Sequence, residues 1–144
     1  MIKYCKEQWV KNESKLKDAL LHQEDLNYCS YETLVKLVVD YILNDDEQDE
    51  NWDSENITLV DNGDYQGTEL YLIPRNTYQP AEYDYLMTYV GYGSCSGCDT
   101  LQSIQCRGNN IDDYMTLCRD LVCNMVKPYN HGWRNEERYQ VVED

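Results

Sequence analysis

The run Ile57-Thr58-Leu59-Val60-Asp61-Asn62-Gly63-Asp64-Tyr65-Gln66-Gly67-Thr68-Glu69-Leu70-Tyr71-Leu72-Ile73-Pro74 decides the fold. Two β-prone stretches, 57–60 and about 66–73, flank Asp61-Asn62-Gly63-Asp64. Asn-Gly is the strongest short hairpin signal, because a tight turn of that kind needs φ > 0 at both central positions. Pro74 and Pro80 bracket a loop at 75–79. A third strand is expected over 83–92, where Tyr83, Tyr85, Met87 and Tyr89 alternate against Asp84, Leu86, Thr88 and Val90. That alternation makes one face of the strand nearly all aromatic.

Helical periodicity surrounds these strands. Residues 14–22 read as a short helix, with Leu16, Ala19 and Leu20 on one face and Trp9 and Val10 before it. Ser30 is placed to cap a helix running to about 44, because Tyr31, Leu34, Val35, Val38, Tyr41 and Ile42 recur at helical spacing. Asp99 opens a short helix to about Cys106. Asn110 caps a longer one, whose stripe is Ile111, Tyr114, Met115, Cys118, Leu121, Val122 and Met125, with Pro128 as its stop. The polar tail, 133–144, is expected to add an edge strand. The expectation is an α+β fold: an antiparallel meander of three to four strands packed against helices. At 144 residues the chain suits a single domain over 1–144, with an acidic connector at about 45–56.

The net charge of −15 is unevenly placed. Residues 37–74 contain no Lys or Arg and eleven acids: Asp40, Asp45, Asp46, Glu47, Asp49, Glu50, Asp53, Glu55, Asp61, Asp64 and Glu69. Such a block repels polyanions and attracts basic surfaces. Direct nucleic-acid binding is disfavoured, since phosphate contacts need a basic stripe. Three readings of the block stand side by side. It is a solvated loop, a binding face for a basic protein, or a carboxylate array that mimics the charge of DNA. A standard EF-hand is rejected, because the loop starting at Asp45 has Glu50 where the glycine belongs and Asn56 where the closing Glu belongs. The candidate partner-binding residues are Asp45, Asp46, Glu47, Asp49, Glu50, Trp52, Asp53, Glu55, Asp61 and Asp64. Exposed tyrosines would help them, from a set of fourteen Tyr with no Phe.

Seven cysteines are present, at 5, 29, 95, 98, 106, 118 and 123. The odd number, and a start without the apolar stretch of a signal peptide, lead to a cytoplasmic expectation with reduced thiols. Cys95-Ser96-Gly97-Cys98 leaves three readings open: turn packing, a metal (zinc) site, or a redox pair. Cys106, Cys118 and His131 are possible additional ligands at irregular spacings. Gly91, Gly93 and Gly97 are expected to supply positive φ and close backbone approach. No catalytic constellation stands out, and His22 and His131 lie in no nucleophile signature, so no enzyme and no required cofactor are expected. No apolar run is long enough to span a membrane.

Gly63-Asp64-Tyr65-Gln66-Gly67-Thr68, Leu72-Ile73-Pro74, Tyr89-Val90-Gly91, the loop Tyr92-Gly93-Ser94-Cys95-Ser96-Gly97-Cys98-Asp99-Thr100-Leu101 with Gln102, and Met115-Thr116-Leu117-Cys118-Arg119-Asp120-Leu121 carry a resemblance. Over most of 60–135 the chain resembles a group of small bacteriophage and prophage proteins of Gram-positive bacteria, tagged by that cysteine loop and without an assigned activity. The resemblance implies a viral accessory gene acting in the host cytoplasm. By analogy of context it points to an inhibitor of host machinery or host defence, of the anti-CRISPR or DNA-mimic kind. The expected partner is a basic host protein such as a nuclease of a defence system. The alternative is a small metal- or thiol-dependent module built on Cys95 and Cys98.

Overall fold

The computed structural model describes residues 1–48, 51–128 and 136–142. The hairpin forms where the sequence places it. Strand β1 (Thr58–Asp61) pairs antiparallel with β2 (Gly67–Pro74), and β2 with β3 (Tyr85–Tyr92), in the order β1-β2-β3. Thr58 faces Leu72, Asp61 faces Glu69, and Tyr71 faces Thr88. The turn differs from the expectation. It is a five-residue loop, 62–66, and among the described glycines only Gly108 has a left-handed backbone. Side chains hold the loop instead: Gly63 N–H donates to Asp61 Oδ1 at 3.0 Å and Thr68 N–H to Asn62 Oδ1 at 2.9 Å. Gly63 is required for another reason. A Cβ there would run into the carbonyl of Gln66 and come within 2.9 Å of Gly67 Cα.

Alternation splits the sheet into two faces. Tyr71, Ile73, Leu86 and Thr88 are buried toward the helices, while Leu70, Leu72, Tyr85, Met87 and Tyr89 lie on the outer side, half-buried or exposed. The aromatic-rich face of β3 is therefore the one turned away from the core. Thr88 donates its hydroxyl to Leu121 O at 2.6 Å, tying β3 to the last helix. Past that helix, Val126 and Met87 exchange backbone hydrogen bonds of 2.8 and 2.9 Å and cover part of the β3 edge.

Helix α1 (Lys3–Leu21) is far longer than the expected 14–22. Its buried face, Tyr4, Cys5, Gln8, Trp9, Asn12, Leu16 and Leu20, mixes polar with apolar residues, so its first half shows little apolar periodicity. Tyr4, Gln8 and Asn12 form an i, i+4, i+8 stripe. That stripe meets the end of α2 (Tyr31–Val38), which Ser30 caps by accepting Thr33 N–H at 3.2 Å. After Val38 the helix widens into a π turn, Val39–Leu43. Carbonyls at a helix end need outside donors. Asn12 Nδ2 donates to Ile42 O at 2.9 Å, and Tyr4 Oη and Gln48 Nε2 donate to Leu43 O at 2.6 and 2.7 Å.

Helix α3 (Thr100–Cys106) starts at Asp99, and α4 (Ile111–Cys123) at Asn110, whose side chain accepts from Asp112 and Asp113 N–H. Helix α4 ends five residues before Pro128. The described tail corrects the expected edge strand. Residues Glu136–Tyr139 form a 3₁₀ turn, and Val141 pairs with Ile2 rather than with the sheet. Its bonds run from Lys3 N–H to Gln140 O at 2.7 Å and from Val142 N–H to Met1 O at 2.8 Å. The rest of the expected strand, 133–135 and 143–144, falls outside the described residues. Helices and sheet share one apolar core, centred on Leu16, Leu34, Val35, Ile42, Tyr71, Ile73, Leu86, Tyr114 and Leu121. The fold is α+β, as expected. No helix among the described residues is long and apolar enough to cross a membrane.

Candidate functional site

The acidic segment separates into two parts with different surroundings. In the connector, Trp52 is 2 % exposed, which corrects the expectation that it serves as an exposed contact. Its N–H donates to Asn44 Oδ1 at 2.7 Å and its indole Nε1 to Tyr4 Oη at 3.2 Å. The Arg75 guanidinium lies 4.5 Å from the Trp52 ring centre, and Lys127 lies 5.7 Å from it and 4.7 Å from the Tyr139 ring. Stacked cations of this kind are stabilised by the ring quadrupole. Asp45, with only 4 % of its side chain exposed, accepts from Gln8 Nε2 at 2.9 Å and pairs with Lys11 at 3.2 Å. The Gln8 hydrogen bond, followed by that from Lys11, holds its carboxyl below the usual range. Glu47 reaches the same lysine at 2.8 Å. Asp53 accepts from Glu55 N–H and from Asn56 Nδ2 at 2.6 Å, closing a local turn, while its own N–H bonds Pro74 O. Asp46 and Glu55 are exposed; Asp49 and Glu50 lie outside the described residues.

At the hairpin end the acids face solvent. Asp61 and Asp64 are exposed, beside Tyr65 at 81 %. Tyr92 donates its hydroxyl to Asp61 Oδ1 at 2.6 Å, which holds that carboxyl below the usual range. The same bond, with the charges of Glu69 and Asp64 nearby, pushes the Tyr92 phenol up to about 12. The connector joins the sheet where Trp52 pairs with Arg75, and the hairpin end where Asp61 pairs with Glu69. At roughly 3.3 Å per residue, those positions on the β2 line are about 20 Å apart. Two acidic groups, not one continuous row, are the result.

Strand β1 joins them and is exposed at all four residues. Asn62 N–H bonds Thr68 O at 3.3 Å, so by antiparallel alternation Leu59 and Asp61 aim their backbone groups away from β2. The sheet's order leaves that side without a strand partner among the described residues. Leu59 and Val60, on opposite faces, are both exposed. Near the start of β1 lies a recess of about 350 Å³ lined by Thr58, Leu72, Glu82, Tyr85 and Pro128.

The cysteine loop is built separately. Asp99, buried, accepts Gln102 N–H and the Tyr31 hydroxyl on Oδ1 at 3.0 and 2.8 Å, and Gly93 N–H on Oδ2 at 2.9 Å. It thus ties the loop, α3 and α2 together. Cys95 and Cys98 are exposed, their sulfurs 2.7 Å apart. The side-chain contact with Cys95 first, and then the Cys95 N–H donated to Cys98 Sγ at 3.2 Å, hold the Cys98 thiol below the usual range. Burial pushes Cys5 and Cys118 up to about 12, and Cys29 to about 11. The expectation of positive φ at Gly91, Gly93 and Gly97 is not met. Gly93 is needed for space, since a Cβ would lie 2.6 Å from Cys98 Sγ. Among the described residues, no group of three or more His, Cys, Asp or Glu gathers as metal ligands; His131 is outside them.

Sequence reasoning missed the Tyr4–Gln8–Asn12 stripe and the anchoring of the connector. The four-residue spacing of those polar side chains was the available signal. No family model, curated protein or solved structure matches the chain.

Proposed function

We propose that the protein is a binding module, not an enzyme, that takes a basic protein partner along the β1 edge and the hairpin end. The observation that carries this reading is the open edge itself: exposed Leu59 and Val60, outward backbone groups, and Glu55, Asp61 and Asp64 alongside. An extended segment adding to that edge would gain main-chain hydrogen bonds. The recess bearing Glu82 and Tyr85 suits the aliphatic stem and cationic head of a Lys or Arg. Charge complementarity would make association fast and salt-sensitive. The resemblance to phage proteins supports a host protein as the partner and inhibition as the outcome, a nuclease of a defence system being the expected type. The acids that take part are Glu55 and those at the hairpin end, since Asp45 is already engaged within the fold.

The test is capture from a Gram-positive bacterial lysate at low and high salt, read by mass spectrometry. Wild type is compared with Asp61→Asn/Asp64→Asn and with Leu59→Pro, which removes one outward N–H while leaving the β1–β2 bonds. Retention of one basic protein at low salt, reduced in both variants, is the expected result. Equal retention by all three proteins would contradict the reading.

A further inference from the structure

We propose that Cys95 and Cys98 form a thiol–disulfide exchange couple that reacts with low-molecular-weight disulfides bearing carboxylates. The two sulfurs stand 2.7 Å apart on an exposed loop, near the S–S bond length of about 2.05 Å. The loop is held for this contact. Asp99 fixes both of its flanks through Gly93 and Gln102, and Gly93 leaves the space that Cys98 fills. Beside Cys98 opens a cavity of about 410 Å³ lined by Ser96, Gly97, Asp99, Thr100, Ser103 and Arg107.

Arg107 is the cation of that cavity. Its Nε donates to Ser103 O at 3.2 Å, and its exposed guanidinium approaches Asp113 at 3.8 Å, a long pair that a ligand carboxylate can displace. The acid in the lining, Asp99, is buried with both oxygens already hydrogen-bonded. Salt screens the chain's remaining negative charge beyond about 10 Å.

The chemistry balances in two displacements. Cys98, as thiolate, attacks one sulfur of the small disulfide. The S–S bond breaks, one thiolate leaves and takes up the proton that Cys98 lost, and a mixed disulfide remains on Cys98. Cys95 then gives its proton to solvent and attacks Cys98 Sγ. The second small thiolate departs and is protonated. The protein dithiol is oxidised by two electrons and the small disulfide is reduced to two thiols. Cys98 is the attacking residue because its sulfur accepts the Cys95 N–H at 3.2 Å, a bond that favours the thiolate.

The test equilibrates the full chain in glutathione buffers of graded oxidation, followed by acid quench, alkylation and peptide mapping. The expected result is loss of two alkylation sites on the peptide holding Cys95 and Cys98, restored by reduction, with Cys106 still alkylated. Cys95→Ser should accumulate a mixed disulfide on Cys98, and Cys98→Ser should react at least tenfold more slowly. Arg107→Ala should slow reaction with glutathione disulfide several-fold and leave reaction with uncharged hydroxyethyl disulfide unchanged. Equal rates with the charged disulfide would overturn the role of Arg107. A doubly alkylated peptide at every buffer ratio would overturn the couple. So would protection from alkylation that only a chelator relieves, which would assign the pair to a metal.

Discussion

The connector and the hairpin end have the same acidic character and opposite surroundings. In the connector, Asp45 is nearly buried against Gln8 and Lys11, and Trp52 sits beneath Arg75 and Lys127. At the hairpin end, Asp61 and Asp64 face water, with Tyr65 beside them. Local acidity therefore does not determine whether a carboxylate is engaged within the fold or faces water. What distinguishes Asp45 from Asp61 is a donor from a distant helix, since Asp61 takes only the Gly63 N–H and the Tyr92 hydroxyl. Helix α1 supplies Gln8 and Lys11 to the connector, while the helix layer does not cover Leu59 on the inner face of β1.

Substitutions should separate the two regions. The largest effect is expected at Trp52. Trp52→Ala removes a buried ring, its bond to Tyr4 and two cation contacts, and should lower unfolding free energy by about 3–5 kcal/mol in urea titration. Next is Gly63→Ala, where the added methyl meets the Gln66 backbone; a cost of about 1–3 kcal/mol is expected from the same titration. Asp45→Asn should cost about 1 kcal/mol, the low side for a bond to a charged group, because the amide keeps an oxygen for Gln8 Nε2 and the partner Lys11 is exposed. The sign of its pH dependence follows from the lowered carboxyl. Its stabilisation is complete above the ordinary value of 3.8 and fades as pH falls through the lower folded value. The stability gap between wild type and Asp45→Asn should accordingly narrow in acid. The smallest effect on stability belongs to Asp61→Asn/Asp64→Asn, which should shift the urea midpoint only slightly, because an amide at 61 keeps an oxygen for Gly63 N–H and the Tyr92 hydroxyl, while weakening partner binding.

Much of this architecture was legible because local signals agreed with the fold. The strands around Asn62-Gly63 and the caps Ser30, Asp99 and Asn110 all lie at or within a residue of their expected places. The first half of α1 was not legible, since Tyr4, Gln8 and Asn12 are buried by bonding to carbonyls 30 or more residues away. The burial of Trp52 was hidden for the same reason: a single aromatic in an acidic run carries no period, and its partners Tyr4, Arg75 and Lys127 come from three separate regions. The two cysteines could be paired from spacing, but the Asp99 bond to Tyr31 that positions their loop spans 68 residues.

The most direct test of the account compares Asp45→Asn with Asp61→Asn/Asp64→Asn for both stability and partner retention across a salt series. A double dissociation is expected. The first variant loses stability and keeps salt-sensitive retention; the second keeps stability and loses it. Loss of retention in Asp45→Asn alone, with the hairpin variant binding as wild type does, would contradict the assignment of the interface to the β1 end.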